Sequence, residues 1–235
     1  MEKRLSSLIN EIENIKKDIH IHSVVSIGAE AVLLLSEWMG YRSIVKYRYS
    51  KRYRNYTLDV LLRKRRTVRE GKIMITCKKI GIPVPSVLYI DDEQFIILME
   101  YIDGIVLRDI NISINLSTIK EMLTEIGEYI GIMHKNNIIH GDLTLANIIL
   151  KEGRISFIDF GLSEFSNEIE KQGVDLHIFI RALESMWPSY SSDLTRKIFE
   201  GYANIRGQKT AKRIKDKIIE IRRRGRYISE RRKNI

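Results

Sequence analysis

The stretch 138–161, IIHGDLTLANIILKEGRISFIDFG, restricts the fold of this chain more than any other. Its apolar, β-branched runs NIIL and ISFID flank the turn KEGR, so a short hairpin is expected there. Around that hairpin stand His140, Asp142 and Asn147, spaced as H-x-D-x-x-x-x-N, and then Asp159, twelve positions beyond Asn147. An acid and an amide inside an apolar stretch carry a desolvation cost. They are expected where buried strands must aim polar groups at something polar. Phosphoryl transfer needs this set: one carboxylate to accept the nucleophile's proton, and an amide and a second carboxylate to hold Mg²⁺ against a triphosphate.

The protein-kinase signature supplies these groups as a catalytic-loop aspartate, a catalytic-loop asparagine and an Asp-Phe-Gly aspartate. Here they would be Asp142, Asn147 and Asp159, with Asn147 and Asp159 as Mg²⁺ ligands and ATP as the phosphate donor. The same chemistry calls for a Lys–Glu pair upstream. Lys46 lies in the strand-like SIVKYR. Glu70 precedes Ile73, Met74 and Cys77 by three, four and seven residues, so it shares their helix face. A carboxylate on that face is costly unless paired; Lys46 is the natural partner, with Arg66 and Arg69 as competitors. SIGAEA, 26–31, is the candidate phosphate loop, making Ile27, Gly28, Ala29 and Glu30 candidate nucleotide contacts. MEYIDG, 99–104, fits a hinge in which Met99 and the backbone of Glu100 and Ile102 meet an adenine, with Ile149 as its floor. Asp175 reads either as an anchor for the catalytic-loop backbone or as an ordinary helix N-terminal acid.

Periodicity places these motifs in an α+β fold. Residues 23–35 and 43–49 read as strands, 58–80 as a helix ended by Gly81 and Pro83, and VLYI-DDEQ-FIILM as a hairpin. Thr118 and Glu121 have capping-box spacing ahead of the helix carrying Met122, Leu123, Ile126, Ile130 and Met133. From about residue 172 the pattern is helical. The expected architecture is a two-lobed, protein-kinase-like fold with a small β-rich N-lobe over 23–100 and a reduced helical C-lobe over 101–205. Residues 1–22, with Leu5, Leu8, Ile9, Ile12, Ile15 and Ile19 at helical spacing, read as an N-terminal helical extension, and 206–235 as a basic C-terminal tail.

Charge is unevenly spread. Residues 42–72 hold 12 Lys/Arg against 2 Asp/Glu, residues 206–235 hold 13 against 3, and the remainder is acidic. Clustered basic residues are the footprint of a polyanion or partner surface. In the tail Arg222, Arg223, Arg224, Arg226, Arg231 and Arg232 are the candidate contacts to tRNA or a partner subunit. A single cysteine excludes an internal disulfide, and the absence of an apolar run of about 20 residues argues against a membrane span. A cytoplasmic protein is expected. No His/Cys cluster has zinc spacing. Only 13 residues separate Gly161 from Asp175, and no Ala-Pro-Glu element is present, so a long activation segment and a peptide groove are not expected.

Together GAEA (28–31), Lys46 within KYRYSKRYR, LD (58–59), RT (66–67) with Glu70, GIPVP (81–85), HGDLTLAN (140–147), FIDFGLS (157–163), VDLH (174–177) and RRRGR (222–226) resemble a known family. It is the small atypical kinase of the KEOPS complex of archaea and eukaryotes. Ile27, Gly71 and Leu145-Ala146 depart from that family's usual residues without removing a catalytic group. The resemblance implies an ATP-dependent Ser/Thr kinase or ATPase that autophosphorylates. It would work beside a threonylcarbamoyl-transferase subunit and other KEOPS subunits in forming threonylcarbamoyladenosine at tRNA position 37. Competing readings are a RIO-type ribosome-assembly kinase, a small-molecule phosphotransferase of the aminoglycoside or choline kinase type, and a non-catalytic scaffold binding nucleotide and tRNA.

Overall fold

The computed structural model describes residues 19–51, 53–111 and 116–233, with side chains through 224. The chain divides into two compact units, 1–75 with 85–103 and 76–84 with 104–235.

The first unit is built on a five-stranded antiparallel sheet of β1 (Ile19–Ile27), β2 (Val32–Trp38), β3 (Tyr41–Tyr47), β4 (Val87–Asp91) and β5 (Ile96–Glu100), in the order β1-β2-β3-β5-β4. β2 and β3 join through Met39 and Gly40, both with positive φ (50° and 80°). That is the primed two-residue turn whose twist suits a hairpin. Alternation sends Val32, Leu34, Val45, Ile96 and Leu98 to one face, where they form a core cluster with Ile19. Lys46 is one residue out of phase with Val45 and lies in register between Leu33 and Ile97. It therefore stands on the opposite face, the side taken by α1 (Tyr56–Lys79). As far as Glu70 the buried polar residues of α1 are Asp59, Arg63, Thr67 and Glu70, and only afterwards come the buried apolar Ile73, Met74 and Cys77. Leu62, expected on the buried side, is half-buried. Ion pairs, not apolar packing, hold the beginning of this helix.

The second unit is mainly helical: α2 (Leu116–Lys135), α3 (Ile169–Met186), α4 (Ser191–Arg206) and α5 (Gln208–Lys233). Two small antiparallel sheets accompany them, β6 (Ile105–Val106) with β8 (Ile148–Lys151) and β9 (Arg154–Phe157), and β7 (Ile138–Ile139) with β10 (Glu164–Phe165). KEGR is a second primed turn, with Glu152 and Gly153 at φ 50° and 77°. Ile119, Leu123, Ile126, Ile130 and Met133 make the buried stripe of α2. A Cβ at Gly127 would strike the Ile198 carbonyl and one at Gly201 the Thr124 carbonyl, so glycine lets α2 and α4 approach backbone to backbone.

Three expectations change. Residues 19–22 are the start of β1, because I-H-I-H alternates with period two; the remainder of the expected N-terminal helix, 1–18, lies outside the described residues. The 23–35 strand is two strands parted by the loop 28–31. α2 begins at Leu116, which puts Thr118 inside its first turn, so Thr118 and Glu121 form no capping box. The basic C-terminal tail keeps the helical pattern expected from about residue 172: residues 208–233 form a packed helix, with Ala211, Ile214 and Ile218 buried at i, i+3 and i+7. Among the described residues no helix is long and apolar enough to cross a membrane.

Candidate active site

In the first unit the Lys46 ammonium donates to Glu70 Oε1 at 2.7 Å, with Glu70 almost fully buried. Neither Arg66 nor Arg69 takes that carboxylate: Arg66 pairs with Glu30, and Arg69 is exposed. The second partner is Arg48, whose Nη2 donates to Glu70 Oε2 at 2.6 Å. Arg48 was not singled out from sequence. The available signal was period two: K-x-R in extended backbone puts both cations on one face. The Arg48 amide donates to the Phe95 carbonyl at 3.1 Å, which prolongs the strand that carries Lys46.

The candidate phosphate loop is tied down from the segment after β3. Tyr49 Oη donates to the carbonyls of Gly28 (2.7 Å) and Ala29 (3.1 Å), and Lys51 Nζ also donates to Ala29 O. The Glu30 carboxylate is engaged by Arg54, at 3.1 Å, and by Arg66 of α1. Its visible task is to fasten the loop to the helix that bears Glu70. Ile27, at the end of β1, is exposed. Met99 and Glu100 end β5; the Glu100 amide donates to the Ser86 carbonyl at 2.9 Å, so that amide is committed, and Ile102 follows outside the strand.

In the second unit a tight loop runs from β7 to β8. Asn147 Nδ2 donates to the Asp142 carbonyl (2.8 Å) and to Asp142 Oδ2 (3.0 Å). The amide thus closes the loop and orients the carboxylate, and its own oxygen is turned the other way. Asp159 has φ 59° and accepts from the Gly161 amide at 3.1 Å. Left-handed backbone at a non-glycine residue is uncommon and concentrates at functional sites, and Asp is among the few residues that tolerate it. His140 joins the two segments: Nε2 lies 3.2 Å from the Ile158 carbonyl, and the ring packs on Phe160 at 4.6 Å. Burial holds its imidazole below the ordinary range, hence neutral. Nε2–H then donates to Ile158 O, leaving Nδ1 to accept the Asp142 amide at 3.4 Å. Gly141 has φ +83°, and a Cβ there would strike the Leu162 carbonyl, so this position excludes the arginine found in many regulated kinases. Ile149, half-buried in β8, pairs with Val106 and Ser156.

Asp175 turns out to be the anchor. It lies seven residues into α3, 1% exposed, and its two oxygens accept the amides of His140 (2.7 Å) and Gly141 (2.8 Å). Burial works to raise its carboxyl; the hydrogen bonds from His134 and from the His140 amide outweigh that and hold it below the usual carboxylate range. His134 Nδ1 in turn meets Tyr202 Oη at 3.1 Å. Burial pushes the Tyr202 hydroxyl up to about 12 and the Cys77 thiol likewise to about 12, so neither ionises at working pH. Of the tail arginines, Arg222 pairs with Glu184 at 2.8 Å and Arg224 with Glu170, both on α3; Arg223 is exposed. The side chains of Arg226, Arg231 and Arg232 lie outside the described residues.

The RIO domain family model matches residues 36–168, a span holding Lys46, Glu70, Asp142, Asn147 and Asp159. "KEOPS complex subunit Bud32" of Pyrococcus abyssi is 43% identical over 206 residues, covering 85% of this chain and 94% of that protein. This chain belongs to the Bud32 family of RIO-domain proteins. A "probable serine/threonine-protein kinase BUD32 homolog" of Archaeoglobus fulgidus is 36% identical over 87% of this chain and 96% of its own length. A "probable bifunctional tRNA threonylcarbamoyladenosine biosynthesis protein" of Methanosphaera stadtmanae is 40% identical over 86% of this chain; the chain spans 36% of that longer protein. Among solved structures, the Rio2 kinase–ADP/Mg²⁺–phosphoaspartate complex from Chaetomium thermophilum superposes with TM-score 0.62 at 16% identity, over 95% of this chain and 76% of that one. The Bud32-family chain thus has the α+β, kinase-like fold, a β-sheet N-lobe and a helical C-lobe, that its motifs predict.

Proposed function

We propose that this chain is the ATP-consuming kinase-type subunit of a KEOPS complex, acting in the cytoplasm. It would support formation of threonylcarbamoyladenosine at tRNA position 37, in contact with a threonylcarbamoyl-transferase subunit, other KEOPS subunits and tRNA. The observation that carries this reading is the Asn147–Asp142 contact, with Asp159 twelve positions after Asn147, which makes an intact phosphoryl-transfer set in a Bud32-family chain.

In this reading Asp142 accepts the proton of the attacking water or Ser/Thr hydroxyl, and the Asn147 amide holds its carboxylate in place. The free oxygen of Asn147 and the carboxylate of Asp159 are hard donors that fit Mg²⁺, which would neutralise charge on the transferring phosphate. Lys46 and the Gly28–Ala29 loop meet the nucleotide phosphates, and Met99, Glu100, Ile102 and Ile149 contact the adenine. Exposed Lys209, Lys212, Arg213 and Arg223 of α5, with the farther tail arginines, offer tRNA a basic surface.

The test follows the γ-phosphate of Mg·ATP with and without tRNA and the transferase subunit. Release to water, accelerated by both partners, is the expected result. Asp142→Asn should keep ATP affinity within about threefold while turnover falls by about 10³ or more. Equal turnover in mutant and wild type would remove Asp142 from the mechanism. The RIO-domain match favours a RIO-type ribosome-assembly kinase as the second reading, which acceleration by pre-ribosomal particles instead of tRNA would establish.

A further inference from the structure

One face of the five-stranded sheet is sealed from water by something other than the elements described around it. A row of side chains crosses that face from edge to edge in register: Val24 (β1), Leu34 (β2), Val45 (β3), Leu98 (β5) and Tyr89 (β4). Leu34, Val45 and Leu98 are 0% exposed. Ser36 and Ser43, on the same face, are equally buried, and their hydroxyls satisfy each other at 2.8 Å, as polar groups beneath a dry layer must. The middle of a sheet face loses all contact with water only under a second layer. That layer is not α1, which lies against the opposite face with Glu70 on Lys46. Among the described residues, the apolar side chains packed on this cluster are Ile21, Val24, Trp38, Tyr47 and Tyr89, all from the sheet itself.

Residues 1–18 carry the pattern such a face requires. Past Met1 their apolar residues are Leu5, Leu8, Ile9, Ile12 and Ile15, at i, i+3, i+4, i+7 and i+10: a single helical stripe, with polar and charged residues everywhere else. A helix over 2–17 is ~24 Å long at 1.5 Å per residue. Five strands at the usual spacing are ~19 Å across. One such helix therefore spans the row from β1 to β4. The chain also arrives at the right place. Residue 18 leads into Ile19, which is 1% exposed, belongs to the buried cluster and opens the edge strand β1. An isolated helix of this length is marginal in water, and an apolar face to lie on is what stabilises it.

We propose that residues 1–18 form an amphipathic helix that docks in cis across this face of the sheet and closes it. The occupant is the chain's own segment rather than a second copy or a partner subunit, because the tether at Ile19 supplies it at high effective concentration. A partner protein can use this face only by displacing the segment. The inference stands apart from the kinase reading and concerns only the first unit.

The experiment uses the full chain, at a concentration where sedimentation shows a monomer. Amide hydrogen exchange should find residues 8–17 slowed about 10²-fold or more relative to an unstructured peptide. The double variant Ile9→Asp/Ile12→Asp should lose that protection and melt about 5 °C or more below wild type. It should also make Trp38, the tryptophan on this cluster, more accessible to acrylamide quenching. Ser7→Asp/Asn14→Asp adds the same charge on the opposite side of the helix and should keep both the protection and a melting temperature within about 2 °C of wild type. If the stripe variant fails to fold, Ile12→Ala, which only removes apolar contact, carries the comparison. Fast exchange over 8–17 in the monomer, or a stripe variant that behaves as the charge-matched control does, would overturn the proposal. Protection that vanishes on dilution as a dimer dissociates would assign the face to a second copy, and protection that appears only with an added KEOPS subunit would assign it to that partner; either result also overturns it.

Discussion

Replacing Asp175 by Asn tests whether the catalytic loop is held from α3. The carboxylate gives one oxygen to the His140 amide and the other to the Gly141 amide, at 2.7 and 2.8 Å. An asparagine of nearly equal volume has one oxygen, so one of these buried N–H groups must face an NH₂. Leaving a buried donor unsatisfied costs about 1–3 kcal/mol. The surviving bond loses its charge assistance, roughly another 1 kcal/mol. The sum, about 2–4 kcal/mol, corresponds to a melting-temperature drop of about 4–16 °C for a chain of this size. Because Gly141 adjoins Asp142, the loop should also lose alignment, and a displacement near 1 Å costs on the order of 10²-fold in rate. The assays are thermal denaturation at pH 7.5 and phosphate release from Mg·ATP. A variant melting within about 1 °C of wild type, with kcat within twofold, would refute the claim that Asp175 positions the loop.

Two further outcomes are expected. Burial holds His140, and burial with Arg222 and Arg181 nearby holds His177, below the ordinary value of 6.5. The unfolded chain then binds protons more readily. Their stabilisation is complete above about pH 6.5 and is lost as the pH falls below it, so melting temperature should be level from pH 7 to 8 and decline toward pH 5. A rise on acidification would contradict the assignment of neutral imidazoles. Gly141→Ala should cost about 2–4 kcal/mol, from positive φ and collision with the Leu162 carbonyl, and should lower turnover more than ATP affinity. Denaturation and ATPase assays would show it, and a variant indistinguishable from wild type would mean that the loop relaxes freely.

Much of the site was legible because its chemistry is written at short range. The five-residue spacing from Asp142 to Asn147 lets an amide reach back across one tight loop, as the 3.0 Å contact shows. The primed turn at Glu152-Gly153 is announced by KEGR. Glu70 was readable as Lys46's partner because helix periodicity put a carboxylate on a face that also bears Ile73, Met74 and Cys77. The start of α1 misled for the same reason: apolar periodicity pointed to Leu62, while the helix buries Asp59 and Arg63 as an ion pair.

What sequence determined by itself was the candidate set of polar groups and the secondary elements that hold them, since both follow from residue type and from periods of two and 3.6. Only the tertiary structure decided how those groups are supported. Arg48 shares a carboxylate 22 residues away, Asp175 takes amides 34 and 35 residues before it, and His134 reaches Tyr202 across 68 residues. Tertiary packing likewise docked the basic helix, burying Ala211, Ile214 and Ile218 and pairing Arg222 and Arg224 with Glu184 and Glu170. The local signal in each of these residues is a charge or an apolar side chain that many partners could satisfy. Which one does so depends on where the intervening chain returns, and no spacing along the sequence records that.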